Sequence, residues 1–300
     1  MARLTANSLQ LEVESFGSPG DPAVLLVMGL GMQLTAWPDL FCQALVAAGY
    51  RVVRFDNRDI GLSDPIDAPP VNVPRQFLRY ALRLPIDAPY RVQDMADDAR
   101  AVLDALQIER AHVIGASMGG MIAQSFAATW PERCRSLVSI MSTSGDRRLP
   151  WSDLRVLRKL LSRPLRKATF DQQVEHYVQL FRALSGPGFP IDDETLRARL
   201  QRSLKRSFKP AGTLRQLLAI AASGDRSAQL QMIRCPTLVL HGDADPLVPL
   251  AHGRDCAVKI PGARLDVVPG MGHDLPPTLV PLLTEHVLAH LRAVDERAPH

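Results

Sequence analysis

The sequence predicts an α/β class, a mostly parallel central sheet with helices on both faces. Three observations carry this. Six short apolar runs, continuous and rich in Val, Leu and Ile, fit strands that are buried on both faces. The longer stretches between them repeat apolar residues at threes and fours, the stripe of an amphipathic helix. The chain has 300 residues, 46% hydrophobic and 22% charged, enough to bury a full core beneath such layers.

Taken in order, LQLEVESFGSPGDPAVLLV (9–27) reads as a strand, a Gly/Pro turn and a second strand, hence an antiparallel N-terminal edge hairpin. AVLLVMG (23–29) and RVVRFD (51–56) read as buried strands. The Pro-rich piece 64–90 is irregular and expected to pack near the helical insertion that follows later. In 92–108, Val92, Met95, Ala99, Val102, Leu103 and Leu106 share one helical face. AHVIGA (111–116) is the next strand, MGGMIAQSFAATW is helix-compatible until Pro131, and SLVSIM (136–141) is a strand again. The alternation then breaks. Helical patterns at Leu154/Leu157/Leu161, Val174/Tyr177/Val178/Phe181 and Leu196/Leu200/Leu204 fill the stretch with no buried-strand run. PTLVLHG (236–242) and RLDVVPG (264–270) resume the sheet, and Val280, Leu283, Val287 and Leu291 stripe a last helix. The expected organisation is a core of 1–145 and 231–300 with a helical cap insertion at 146–230.

Composition narrows the function. A net charge of +4 is mild, and no basic run interleaves with aromatics, so nucleic acid is not an expected partner. No apolar window approaches the length of a membrane span, and the first residues show no secretory pattern. Cys42, Cys134, Cys235 and Cys256 are scattered without a CxxC pair, which reads as reduced thiols and no zinc site. A soluble, cytoplasmic protein is expected. Residues 146–229 hold 17 Lys/Arg against 8 Asp/Glu, either a solvated face or an attraction for anions.

One stretch carries chemistry. Gly115-Ala116-Ser117-Met118-Gly119 places a serine at a strand-to-helix turn, where small neighbours let backbones approach and the hydroxyl is pushed out above the sheet edge. A serine alone is a poor nucleophile, so a base and an orienting acid are needed. TLVLHGDADPLVP supplies Asp243 and Asp245 after one strand, and LDVVPGMGHDLPP supplies His273 after another. The order Ser, Asp, His suits this arrangement, and spacing alone leaves both aspartates open.

GASMGG, HGDADPLVP and GMGHDLP, with RFDNRDIGLSD, make the chain resemble the α/β-hydrolase fold superfamily over nearly its whole length outside the insertion. The resemblance implies Ser117 as nucleophile, His273 as general base and Asp245, three residues past the glycine of HG, as the acid. It places the oxyanion-hole amides on Leu30, in VMGLGMQ, and on Met118. Met28 replaces a histidine that many relatives carry; esterases of the aclacinomycin methylesterase type have a similar Met-Gly, and cofactor-free haloperoxidases are similar around the nucleophile. The implied activity is hydrolysis of carboxylic esters of small to medium size through an acyl-enzyme, with no metal or organic cofactor. Carbon–carbon bond hydrolysis, perhydrolase chemistry and a non-catalytic receptor remain as alternatives on the same fold. His112 and His241 read as structural, Asp56, Arg58 and Asp59 as ties for their loop, and Met28, Met32, Met118 and Met271 as chance neighbours or a soft apolar wall. Oligomeric state is not legible.

Overall fold

The computed structural model describes residues 2–162 and 168–297. Eight strands form one sheet: β1 (Ala2–Ala6), β2 (Leu9–Phe16), β3 (Ala23–Val27), β4 (Arg51–Phe55), β5 (Ala111–Ala116), β6 (Cys134–Ile140), β7 (Thr237–Gly242) and β8 (Arg264–Val268). Their order is β1-β2-β4-β3-β5-β6-β7-β8. Only β1/β2 and β2/β4 are antiparallel; every later pairing is parallel. The helices are α1 (Asp39–Ala47), α2 (Val73–Ala81), α3 (Val92–Ala105), α4 (Met118–Thr129), α5 (Leu154–Leu161), α6 (Phe170–Leu184), α7 (Asp193–Arg206), α8 (Pro210–Ser223), α9 (Ser227–Leu230), α10 (Leu250–Lys259) and α11 (Val280–Asp295).

The two faces follow from the period-two pleat of strands that are apolar throughout. On β3, Val24 and Leu26 join one core with Phe41 and Leu45 of α1 and Leu283, Val287 and Leu291 of α11. Leu25 and Val27 join the other, with Met95, Val102 and Leu103 of α3 and Ile122 and Phe126 of α4. Each such side chain, fully buried, stabilises by about 1.5–3 kcal/mol, so a truncation at Leu25 or Phe126 would be felt on a whole layer.

The N-terminal hairpin is present, with a different composition from the one expected. β1 and β2 form it across Asn7-Ser8, both at positive φ (49° and 64°). β2 does not pair with β3; β4 lies between them. β2 alternates apolar residues with Glu12 and Glu14, and Glu14 takes the buried Arg54 of β4 at 2.7 Å. β3 has no polar side chain and belongs at the middle of the sheet.

Among the described residues, five helices, α5 to α9, lie between β6 and β7. Val174 and Val178 of α6 pack on Leu196 and Leu200 of α7. The face of α5 differs from the Leu154/Leu157/Leu161 stripe: Val156 is the buried residue, and Leu154 and Leu161 are exposed. The Pro-rich piece contains α2, and Arg147 lies 4.7 Å over the ring of its Tyr80. No helix among the described residues is long and apolar enough to cross a membrane.

Candidate active site

Ser117 stands between β5 and α4 with φ 57° and ψ −120°, a conformation that L residues avoid and that costs on the order of 1–3 kcal/mol. The surrounding packing holds it. Ser117 N–H donates to Ile140 O at 2.9 Å, and Ser142 Oγ donates to Ser117 O at 2.8 Å. The glycines are needed for space. A Cβ on Gly115 would lie 2.1 Å from Gly119 O, and one on Gly119 would lie 2.0 Å from Val27 O.

The fold brings together three residues from distant parts of the chain. Ser117 Oγ lies 2.9 Å from His273 Nε2, and His273 Nδ1 lies 2.7 Å from Asp245 Oδ2. An ionised carboxylate only accepts, so Nδ1 carries the proton and Nε2 is left to accept from the serine hydroxyl. Asp245 is itself fixed, since its Oδ1 accepts the N–H groups of Leu247 (2.9 Å) and Val248 (2.8 Å). Asp243 does not face the histidine; its Oδ1 accepts Gly270 N–H at 2.7 Å and pins the loop that carries His273. The same loop is held from α6, where Leu184 O accepts His273 N–H at 2.7 Å and Ser185 Oγ donates to Asp274 at 2.6 Å. Burial pushes the Asp274 carboxyl above its usual range.

Leu30 and Met118 adjoin residues at the serine: Gly29 approaches Ser117 closely enough that a Cβ there would sit 3.2 Å from Ser117 Cβ, and Met118 is the first residue of α4. Among the described residues neither N–H finds an acceptor, and the α4 N-terminus adds its positive end at the same point. Two side chains that spacing does not reveal fix the Leu30 loop. Gln216 Oε1 accepts Gly31 N–H at 2.9 Å while its Nε2 donates to Arg58 O at 2.9 Å, and Asn57 Nδ2 donates to Met28 O at 2.8 Å. The signal for Gln216 is one amide between Arg215 and the apolar run LLAIA (217–221) of α8, fully buried.

The remaining residues singled out by sequence are braces. Asp56 accepts Leu34 N–H (2.7 Å) and pairs with Arg206, Arg58 pairs with Asp98, and Asp59 with Arg215 and Tyr90. His112 bridges Ser136 and Asp295. His241 donates to Val248 O, and burial lowers its pKa, so it stays neutral 3.7 Å from Asp245. Met28, Met118 and Met271 are buried in the two cores, where they fill space. Among the described residues, no three His, Cys, Asp or Glu side chains could hold a metal ion.

A family model described as alpha/beta hydrolase fold matches residues 22–277. Rhodomycin D methylesterase of Streptomyces sp. (strain C5) is 31% identical over 97% of both chains. The 2-hydroxy-6-oxononadienedioate/2-hydroxy-6-oxononatrienedioate hydrolase of Cupriavidus pinatubonensis is 28% identical, over 85% of this chain and 81% of its own. The meta-cleavage product hydrolase from Pseudomonas fluorescens IP01 superposes with a TM-score of 0.77 at 21% identity over 98% of each chain, which speaks for the fold.

Proposed function

Because this chain belongs to the α/β-hydrolase fold family, we propose that Ser117, His273 and Asp245 act as one nucleophilic unit in a carboxylic ester hydrolase. The observation that carries the reading is the unbroken relay from Ser117 Oγ to His273 (2.9 Å) and from His273 to Asp245 (2.7 Å). As Ser117 Oγ attacks the ester carbonyl, its proton passes to His273 Nε2. Asp245 holds the tautomer and stabilises the imidazolium that forms. The oxyanion develops opposite the N–H groups of Leu30 and Met118, and each such donor contributes about 3–4 kcal/mol to transition-state stabilisation. The carbonyl reforms as the C–O bond breaks, and His273 returns the proton to the departing alkoxide. Water, deprotonated by the same histidine, then attacks the acyl-enzyme and releases the carboxylic acid and Ser117.

Two relatives at 31% identity are methylesterases, which favours a small alkyl ester, with residues 146–230 as a cap over the acyl side. The carbon–carbon hydrolase relative supports a second reading with the same triad. The test is hydrolysis of p-nitrophenyl acetate, butyrate and octanoate and of a methyl ester, beside a 2-hydroxy-6-oxo-dienoate, by wild type and Ser117→Ala. Turnover of the esters that vanishes in Ser117→Ala supports the first reading. Turnover of the dienoate alone replaces it with the second. Equal rates for both proteins sink both.

A further inference from the structure

Two helices at the end of the sheet that carries Ser117 turn apolar side chains outward. α2 is built inside out. Its buried residue is Gln76, whose Oε1 accepts Asp87 N–H at 3.1 Å, while Val73, Phe77, Leu78 and Leu82 are exposed, Phe77 to 71%. A helix of a water-soluble protein normally lays its apolar arc on the core. Here the 85–87 turn covers the polar side, and the apolar arc is left outside. α5 repeats the pattern with fewer residues: Leu154 is 73% exposed, and Trp151, just ahead of it, 71%. Arg147, four residues ahead of Trp151, covers the ring of Tyr80 on α2, so the stretch leading into α5 touches α2. α5 also hangs from the loop of Asp245, since Asp153 N–H donates to Pro246 O at 2.8 Å. The start of α5 therefore lies beside the loop that carries Asp245.

The charge on these segments is mainly basic, with Asp153, between Trp151 and Leu154, and Asp87 as the acidic members. Arg75, Arg79 and Arg83 lie along α2 and its C-terminal end, and Arg155, Arg158 and Lys159 lie on α5. Neither Val73–Leu84 nor Leu154–Leu161 contains an acidic residue, and Asp87 alone pairs with Arg75 and Arg79, at 3.3 Å each. A protein–protein interface core is depleted of Lys and acidic residues, although Arg and aromatics are enriched there. Aromatic and leucine side chains bordered by a net excess of Arg and Lys match an amphipathic helix in the headgroup layer of a bilayer. We propose that the α2–α5 face docks on an anionic lipid surface, with Phe77, Leu78, Trp151 and Leu154 entering the acyl boundary and the basic residues meeting headgroup phosphates.

The test is cosedimentation of the full chain with phosphatidylcholine vesicles, with and without phosphatidylglycerol, at low and high salt. The expected result is salt-sensitive binding to the anionic vesicles, weak binding to neutral ones, and a partition at least about tenfold lower for the Phe77→Ser/Leu78→Ser double variant. Both positions are exposed and outside the triad, so hydrolysis of a water-soluble ester should be unchanged. Should the variant fold poorly, wild-type tryptophan quenching by acyl-chain spin-labelled lipid reads the same contact. Trp37 is fully buried and Trp130 caps the opposite end of α4, which leaves Trp151 to report. Absence of binding to anionic vesicles, or equal binding by the double variant, overturns the proposal. A concentration-dependent dimer that Phe77→Ser abolishes also overturns it and assigns the face to a second copy.

Discussion

Gln216 Oε1 accepts the N–H of Gly31 at 2.9 Å across 185 residues of sequence, tying α8 to the loop that presents Leu30. Its other end donates to Arg58 O, so the side chain is satisfied on both sides and cannot swing. Gly31 itself has φ +68°, and Thr213 of α8 packs directly against it. In the proposed mechanism Gln216 is a positioning residue for the Leu30 amide. Gln216→Leu should lower kcat about ten- to a hundredfold, with KM changed less than about threefold, because an oxyanion donor matters chiefly in the transition state. Gln216→Glu keeps the acceptor for Gly31 and should recover part of kcat. A uniform rise in KM, or an equal loss in both variants, would mean that the amide does not depend on Gln216.

The 2.7 Å contact between Asp245 and His273 Nδ1 predicts a loss larger than its remoteness from Ser117 suggests. Asp245→Asn preserves shape and offers a donor where an acceptor is needed, so the imidazole turns to the tautomer that cannot take the serine proton. Activity should drop about a thousandfold or more, close to the loss in Ser117→Ala, and the double variant should be little worse than either. Additive losses in steady-state kinetics would show that the residues do not work as a unit.

Gly119 and Gly49 separate packing from conformation. A Cβ at Gly119 would lie 2.0 Å from Val27 O, so Gly119→Ala must push α4 away from β3 and part the Met118 and Leu30 amides. It should destabilise by about 3 kcal/mol and lower kcat as well. Gly49 has φ +88° and nothing near its missing Cβ, so Gly49→Ala should cost only about 1 kcal/mol, with kcat intact. Urea unfolding and ester turnover on both variants check this.

What spacing could tell followed from what lay close in sequence. β3, β5 and β7 are buried throughout, and their unbroken apolar runs announce interior parallel strands. Ser117 and its glycines sit within one turn, so the strained elbow is legible in a few letters. The choice between Asp243 and Asp245 is not, because it depends on how the loop after β7 meets Gly270. Gln216 and Asn57 act through contacts far from themselves in sequence, and a single amide in a helix carries no motif. The α5 stripe misled for a related reason. Periodicity shows that an apolar arc exists, and the neighbours, here Leu180 and Leu184, choose which edge of it is buried.

His290 supplies the pH prediction. It lies buried in α11, and burial, followed by repulsion from Arg264, lowers its pKa from 6.5 to about 4. Its Nε2 finds no hydrogen-bond partner among the described residues. The folded state thus refuses a proton that the unfolded chain accepts. The stabilisation is fully present above about pH 6.5 and lost as pH falls toward about 4, below which both states are protonated. It amounts to on the order of 3 kcal/mol. His290→Gln, which keeps a donor and does not titrate, should therefore flatten the stability profile across that window by about 1.4 kcal/mol per pH unit relative to wild type. Urea unfolding of both proteins at steps through the window measures the difference. Parallel profiles would show that the side chain charges as freely in the folded protein as in the unfolded one, and that acid sensitivity arises elsewhere, with the buried His241 the next site to test.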